Sequence, residues 1–177
     1  MTNLTKQERF LIDELCVLAW GASVQRANLY GSDISREHRD VDTFRTGVLA
    51  FIEQELLSKY VTAVTEDAHI ANIESLVTFG NSLGRALLGP DGYKFGVAQK
   101  LLNLQLKYLW CLGHVVEPPH CPVDRIVLNK TALRGRLNWT EITSREQYQT
   151  AISAMKSVAD AESLSLAQWE LQVYERR

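Results

Sequence analysis

Apolar residues recur at three- and four-residue spacings along most of the chain, and no segment alternates in the way a half-buried strand would. Thr5-Lys6-Gln7-Glu8 has the layout of a capping box, with Thr5 capping the amide of Glu8 and Glu8 reaching back to Thr5. The helix it opens carries Leu11, Leu15 and Leu18 as one apolar stripe, and Gly31-Ser32-Asp33 breaks it. A second helix is predicted from about Arg36 to Tyr60 on Phe44, Val48, Phe51, Ile52 and Leu56. A third is predicted from about Asp67 to Leu88 on Ile73, Val77, Gly80 and Leu87. The pattern predicts an all-α protein, a compact multi-helix domain.

Punctuation is concentrated in the middle. All four prolines fall between residues 90 and 122, and Gly89-Pro90-Asp91-Gly92 is a strong turn signal. After it, Val97 to Leu112 reads as a helix that is apolar almost all round, the mark of a central helix surrounded by others. Its polar residues Lys100, Asn103 and Lys107 form a single line down one side. A proline-rich loop follows, and Asp124 is placed to cap a short helix from Arg125 to Thr131. Ser144-Arg145-Glu146-Gln147 and Ser165-Leu166-Ala167-Gln168 resemble further capping boxes, opening helices from about Glu146 to Ala161 and from Leu166 to Arg177. The expected organisation is one helical domain over 1–177. Residues 1–88 form N-terminal helices, 89–136 a hairpin and catalytic segment, and 137–177 closing helices.

Composition narrows the class without naming it. The chain has 177 residues, 46% hydrophobic and 23% charged, with a net charge of −2, which is enough to bury a core and too apolar for disorder. No run of about eighteen apolar residues is present, so no membrane-spanning helix is expected. The N-terminus lacks the layout of a signal peptide. Three cysteines cannot all pair internally, which suits a reducing cytoplasm. The small net charge hides an asymmetry. Residues 92–136 carry seven basic side chains against two acidic ones, a net +5, and the remainder is −7. That distribution predicts an anion-binding face on an acidic protein.

Two patterns carry candidate chemistry. Gly96-Val97-Ala98-Gln99-Lys100 is a tight turn leading into a helix, and Pro122-Val123-Asp124 is an extended stretch ending at a helix cap. This layout is suited to bring Lys100 and Asp124 across a cleft from each other. A lysine amine attacks carbon only when unprotonated, and an apolar setting moves it towards that state. The carboxylate steers charge or takes protons, while also favouring the charged amine.

At these residues the chain resembles the helix-hairpin-helix DNA glycosylases, the superfamily that includes endonuclease III and the 8-oxoguanine glycosylases. Gly96, Val97 and Lys100 match a glycine-valine-glycine-x-lysine hairpin, and Pro122-Val123-Asp124 matches the family's second element, 24 residues beyond the lysine. The chain departs from the pattern with Ala98 at the second hairpin glycine, Phe95 at the preceding proline, and Arg125-Ile126 after the aspartate. The resemblance implies a helix-hairpin-helix element at about 84–112 and a glycosylase with β-lyase activity on double-stranded DNA carrying a damaged base, an oxidised purine such as 8-oxoguanine. It implies Lys100 as nucleophile and Asp124 as the assisting carboxylate. Gly92, Lys94, Gly96, Ala98, Lys107, Arg125 and Lys130 would hold the DNA backbone, and Gln99, Trp139 and Trp169 would line the base pocket, with His69 and Phe79 as further lining residues. No cofactor is implied, because the C-terminal four-cysteine iron–sulfur motif is missing.

Two other readings compete. Lys100 and Asp124 are equally suited to structural roles in a non-catalytic helical interaction or nucleic-acid-binding module, for example a phage-related one. Cys111, His114, His120 and Cys121 comprise four groups able to ligate zinc, as in a zinc-stabilised helical adaptor, although their spacing fits no common template. The mixed charges between Asp33 and Asp42 read as a solvated helix start. No phosphate-binding P-loop, serine-hydrolase elbow or H-E-x-x-H motif is present, so no nucleotide cofactor is expected.

Overall fold

A computed structural model describes residues 4–34 and 39–174. The described residues form seven α-helices and no strand-built sheet. They are α1 (Lys6–Val24), α2 (Arg39–Phe51), α3 (Glu66–Leu83), α4 (Phe95–Cys111), α5 (Arg125–Leu128), α6 (Arg145–Ala161) and α7 (Leu166–Val173). The expected start of the second helix at Arg36, part of the mixed-charge stretch and the end of the last helix at Arg177 lie outside the described residues. No helix among the described residues is long and apolar enough to cross a membrane.

The capping chemistry sets the helix starts. Thr5 and Glu8 form the full reciprocal box on α1, and Ser165 and Gln168 form another on α7. At α6 the box is half made. Ser144 accepts from the Gln147 amide, but the Gln147 side chain turns to Thr143 instead. Asp124 caps α5 through its contact with the Val127 amide.

Helix α4 is the axis of the molecule. Every residue from Phe95 to Leu106 is buried, and α1, α3, α6 and the short 3-10 turn Trp139–Glu141 all pack on it. Helix α1 lies along α4 on a face different from the leucine stripe expected of it. Ile12, Ala19, Trp20 and Ser23 are buried, whereas Leu11 and Leu18 are 43% and 37% exposed. Beyond α2 the helix continues as a π turn (Ile52–Leu56) and a 3-10 turn (Leu57–Val61), so the predicted long helix is present but changes pitch twice.

The loop between α3 and α4 is tied back to α3, although Pro90 and Asp91 at its tip are exposed. Asn81 on α3 accepts from the Tyr93 amide at 2.9 Å and donates to its carbonyl at 3.2 Å. Gly92, at φ +64°, turns the chain beside that asparagine. Among the glycines, Gly96 has the tightest surroundings. Its amide donates to the Ile142 carbonyl at 2.8 Å, and a Cβ there would lie 1.9 Å from the Trp139 carbonyl oxygen.

That contact has a measurable consequence. Gly96→Ala forces the 139–142 turn off α4 and should destabilise the protein by about 1–3 kcal/mol, the usual cost of overpacking. Urea denaturation measures it; an unchanged midpoint would show that the turn does not sit against Gly96.

A candidate lysine–aspartate site

The extended segment 122–124 reaches α4 through a side chain that imitates a strand. The buried Gln99 amide donates to the Val123 carbonyl at 2.9 Å, and its oxygen accepts from the Val123 amide at 3.1 Å. The next residue is thereby delivered to the neighbourhood of Lys100, one step along the helix. Asp124 then divides its carboxylate between two tasks. Oδ1 accepts from the Val127 amide at 3.1 Å, and Oδ2 faces the Lys100 amine at 3.8 Å. The indole of Trp139 covers the amine, with Nζ 4.1 Å from the ring centroid.

Lys100 is only 8% exposed, and burial pushes its pKa below the ordinary lysine value. Asp124 opposes that shift, and the charge of Arg26 adds to it. The arrangement is therefore a desolvated amine with a carboxylate beside it and an aromatic face over it, which can perform nucleophilic attack on an electrophilic carbon. A separate shallow recess of about 300 Å³ is lined by Arg125, Asn129, Arg136, Asn138 and Glu141, and none of Lys100, Asp124 or Trp139 lines it.

Other predicted site residues occupy different roles. Gly96 and Ala98 are buried, and the amides of Gly92, Gly96 and Ala98 already donate to Gly89, Ile142 and Lys94 carbonyls at 2.8–3.1 Å. These three amides are thus spent inside the protein, and the 139–142 turn packs against the start of α4 at Gly96. Lys94 pairs with Asp91 at 3.2 Å, and Lys107 is held by Glu170 at 2.6 Å with the Tyr174 ring beneath it. Gln99 and Trp169 are fully buried and Trp139 is 3% exposed, so Gln99 and Trp169 are core groups rather than open pocket walls. Trp139 still touches the candidate amine. Three of the seven basic residues of 92–136 are thus paired with acids. Arg125, Lys130, Arg134 and Arg136 remain exposed, with no acid partner among the described residues.

The sequence reading missed a buried polar chain that continues from this site. The Asn103 amide donates to the Gln99 oxygen at 3.3 Å and to the Tyr148 hydroxyl at 3.2 Å. That hydroxyl meets His120 Nδ1 at 3.0 Å, and the His120 ring lies edge-on to His69 with centroids 4.9 Å apart. His69 Nδ1 meets the Tyr60 hydroxyl at 2.7 Å, which in turn accepts from Asn72 at 3.1 Å. Asn103 in the polar line of α4 was the one available signal; tyrosines and histidines on distant elements give no local pattern. Glu170 was missed for a similar reason, since a polar residue on a terminal amphipathic helix reads as solvated. His120 and Cys121 are buried while Cys111 is exposed, and the described residues contain no group of three or more His, Cys, Asp or Glu able to hold a metal. The chain matches no protein-family model, no curated protein and no solved structure.

Two expectations follow from these buried groups. Lys107→Met leaves the Glu170 carboxylate, 2% exposed, without its cation. Removing one partner of such a pair costs about 3–5 kcal/mol. A double change to Lys107→Met with Glu170→Leu should recover most of that loss in thermal or urea unfolding. The second concerns pH. Burial lowers both His69 and His120 from 6.5 to about 3, so both stay neutral in the folded protein. The unfolded chain takes up their protons first, so their stabilisation is complete above about pH 6.5 and is lost as pH falls towards 3. With two protons involved, the decline should approach about 3 kcal/mol per pH unit below the unfolded pKa. Urea unfolding between pH 7 and 5 measures it, with NMR showing no protonation of the His69 and His120 imidazoles in the folded state over this range.

Proposed function

We propose that this protein is a DNA base-excision enzyme that uses Lys100 as the nucleophile on double-stranded DNA containing a damaged base. The observation that carries the reading is the pairing of a desolvated Lys100 amine with the Asp124 carboxylate at 3.8 Å beneath Trp139. The residues match those of the glycosylase resemblance, and the exposed cations Arg125, Lys130, Arg134 and Arg136, which follow Asp124 along the chain, suit a phosphate backbone. Because the amides of Gly92, Gly96 and Ala98 are spent, the strand approaches over the 125–141 segment in this reading. The flipped nucleotide is presented to the amine from that side.

The chemistry needs no co-reactant beyond water. The neutral Lys100 amine attacks the sugar C1′, the C1′–N bond breaks, and the base departs with the bonding electrons and takes up a proton. Asp124 stabilises the positive charge that develops on the sugar. Loss of a proton from the attached nitrogen and opening of the sugar ring, whose oxygen is protonated, give a Schiff base between Lys100 and C1′. Removal of a C2′ proton expels the 3′ phosphate and cuts the strand, and water then releases the enzyme. An oxidised purine is the preferred base, as the resemblance implies.

Borohydride reduction tests this directly. The protein incubated with duplexes containing 8-oxoguanine, an oxidised pyrimidine or an abasic site should form a covalent adduct with at least one of them. Lys100→Gln should abolish the adduct, and Asp124→Asn should slow its formation at least about tenfold. Absence of an adduct with all three duplexes, or an adduct that persists in folded Lys100→Gln, would overturn the proposal in favour of a non-catalytic helical module.

A further inference from the structure

The buried chain that leads away from Val123 has a direction, and the backbone sets it. A peptide group cannot turn over in place. The Val123 amide therefore fixes the Gln99 oxygen at 3.1 Å, and the carbonyls of Gly96 and Val123 fix its nitrogen at 3.0 and 2.9 Å. Asn103 lies 3.3 Å from that same oxygen, so it must present its NH2 group there. The second hydrogen of this group goes to the Tyr148 hydroxyl at 3.2 Å. Tyr148 accepts from Asn103, which leaves its own proton for His120 Nδ1 at 3.0 Å.

The protonation states agree with that order. Burial raises the Tyr148 pKa, so the hydroxyl keeps its proton, and lowers that of His120 to about 3, so the ring stays neutral. A neutral imidazole that accepts at Nδ1 carries its hydrogen on Nε2. His120 Nε2 stands 3.7 Å from a Glu66 carboxylate oxygen, too far for a hydrogen bond, but a negative charge at that distance favours an N–H over a lone pair. The other Glu66 oxygen pairs with Lys156.

A second relay is built in the same way. Lys59 can only donate, and its Nζ gives a hydrogen bond to Asn72 Oδ1 at 3.0 Å. The Asn72 nitrogen then donates to the Tyr60 hydroxyl at 3.1 Å, and that hydroxyl donates to His69 Nδ1 at 2.7 Å. Both histidines are thus set as the Nε2–H form from opposite ends of the network. Of the two relays, the one through Tyr148 ends on the segment that carries Asp124.

We propose that Tyr148 and His120 are positioning residues for Asp124. His120 takes the hydroxyl proton, the hydroxyl oxygen holds Asn103, and Asn103 holds Gln99 in the orientation that clasps Val123. The use of that placement rests on the lysine–aspartate reading above, whereas the relay itself is measured without it.

Long-range proton–nitrogen correlations in the ¹⁵N-labelled full chain at pH 7 should show His120 and His69 protonated at Nε2 alone. This readout needs no variant, and a proton on His120 Nδ1 would overturn the proposal. Tyr148→Phe keeps the buried ring and removes the hydroxyl. It should speed hydrogen exchange of the Val123 amide about fivefold, the worth of one net hydrogen bond, because Gln99 is then free to turn. The Tyr93 amide, held by Asn81, should exchange at its wild-type rate. Unchanged exchange at Val123, or equal acceleration at Val123 and Tyr93, would reduce Tyr148 to a general structural role and end the proposal. In the borohydride assay the same variant should form adduct about fivefold more slowly at unchanged duplex affinity. If wild-type protein forms no adduct, the base-excision reading fails, and the tautomer and exchange measurements still decide the relay.

Discussion

A helix enclosed along most of its length must find partners for its buried polar side chains, and α4 does so at Gln99, Lys100, Asn103 and Lys107. Placing Lys100, Asn103 and Lys107 in water would be the ordinary solution, but α1, α3, α6 and the 139–141 turn enclose the helix and remove it. Each of these side chains therefore recruits a partner from a different part of the chain. Asp124 comes from the α5 cap, Tyr148 from α6 and Glu170 from α7. These contacts make the C-terminal third a requirement of the central helix, because without it several polar groups would stand buried and unpaired.

Gln99 shows how one such contact organises a site. Its amide offers a donor and an acceptor to the same residue of an extended segment, as a neighbouring strand would. The carboxylate of Asp124 is then held beside Lys100 by backbone geometry and not by charge attraction alone. This is useful because the ion pair is long, 3.8 Å, and attraction to Asp124 opposes the desolvation that lowers the amine's pKa. Burial is the larger effect, so the amine moves in the direction a nucleophile requires. The buried pair at Lys107 and Glu170 is closer, 2.6 Å, with an almost fully enclosed carboxylate, and it serves to anchor α7.

The distribution of charge is also changed by folding. Along the sequence, 92–136 is a basic block, yet Lys94, Lys100 and Lys107 are neutralised by Asp91, Asp124 and Glu170. What stays available to an anion is the smaller group from Arg125 to Arg136. The glycine turn ahead of α4 has the composition of an anion-binding loop, but the amides of Gly92, Gly96 and Ala98 are committed to carbonyls of the same protein. Composition identified donors; only their partners in space decided whether they were free.

Local information sufficed for much of the architecture. Capping residues placed the starts of α1, α5, α6 and α7, and apolar spacing marked α4 as the central helix, because both depend on neighbours within a few residues. The same spacing misjudged α1, where the face of Ile12, Ala19, Trp20 and Ser23 is buried in place of Leu11 and Leu18. Lys100 and Asp124 could be named as a pair, but their separation and the Trp139 ring over them required residues far apart to meet. The chain of Tyr60, His69, His120 and Tyr148 joins distant elements and left no local pattern in the sequence beyond Asn103. Hydrogen bonds inside a core join whichever polar groups the packing brings within reach, so helix type and capping were legible in the sequence, whereas burial, pairing and the direction of each pKa shift were decided by the tertiary structure.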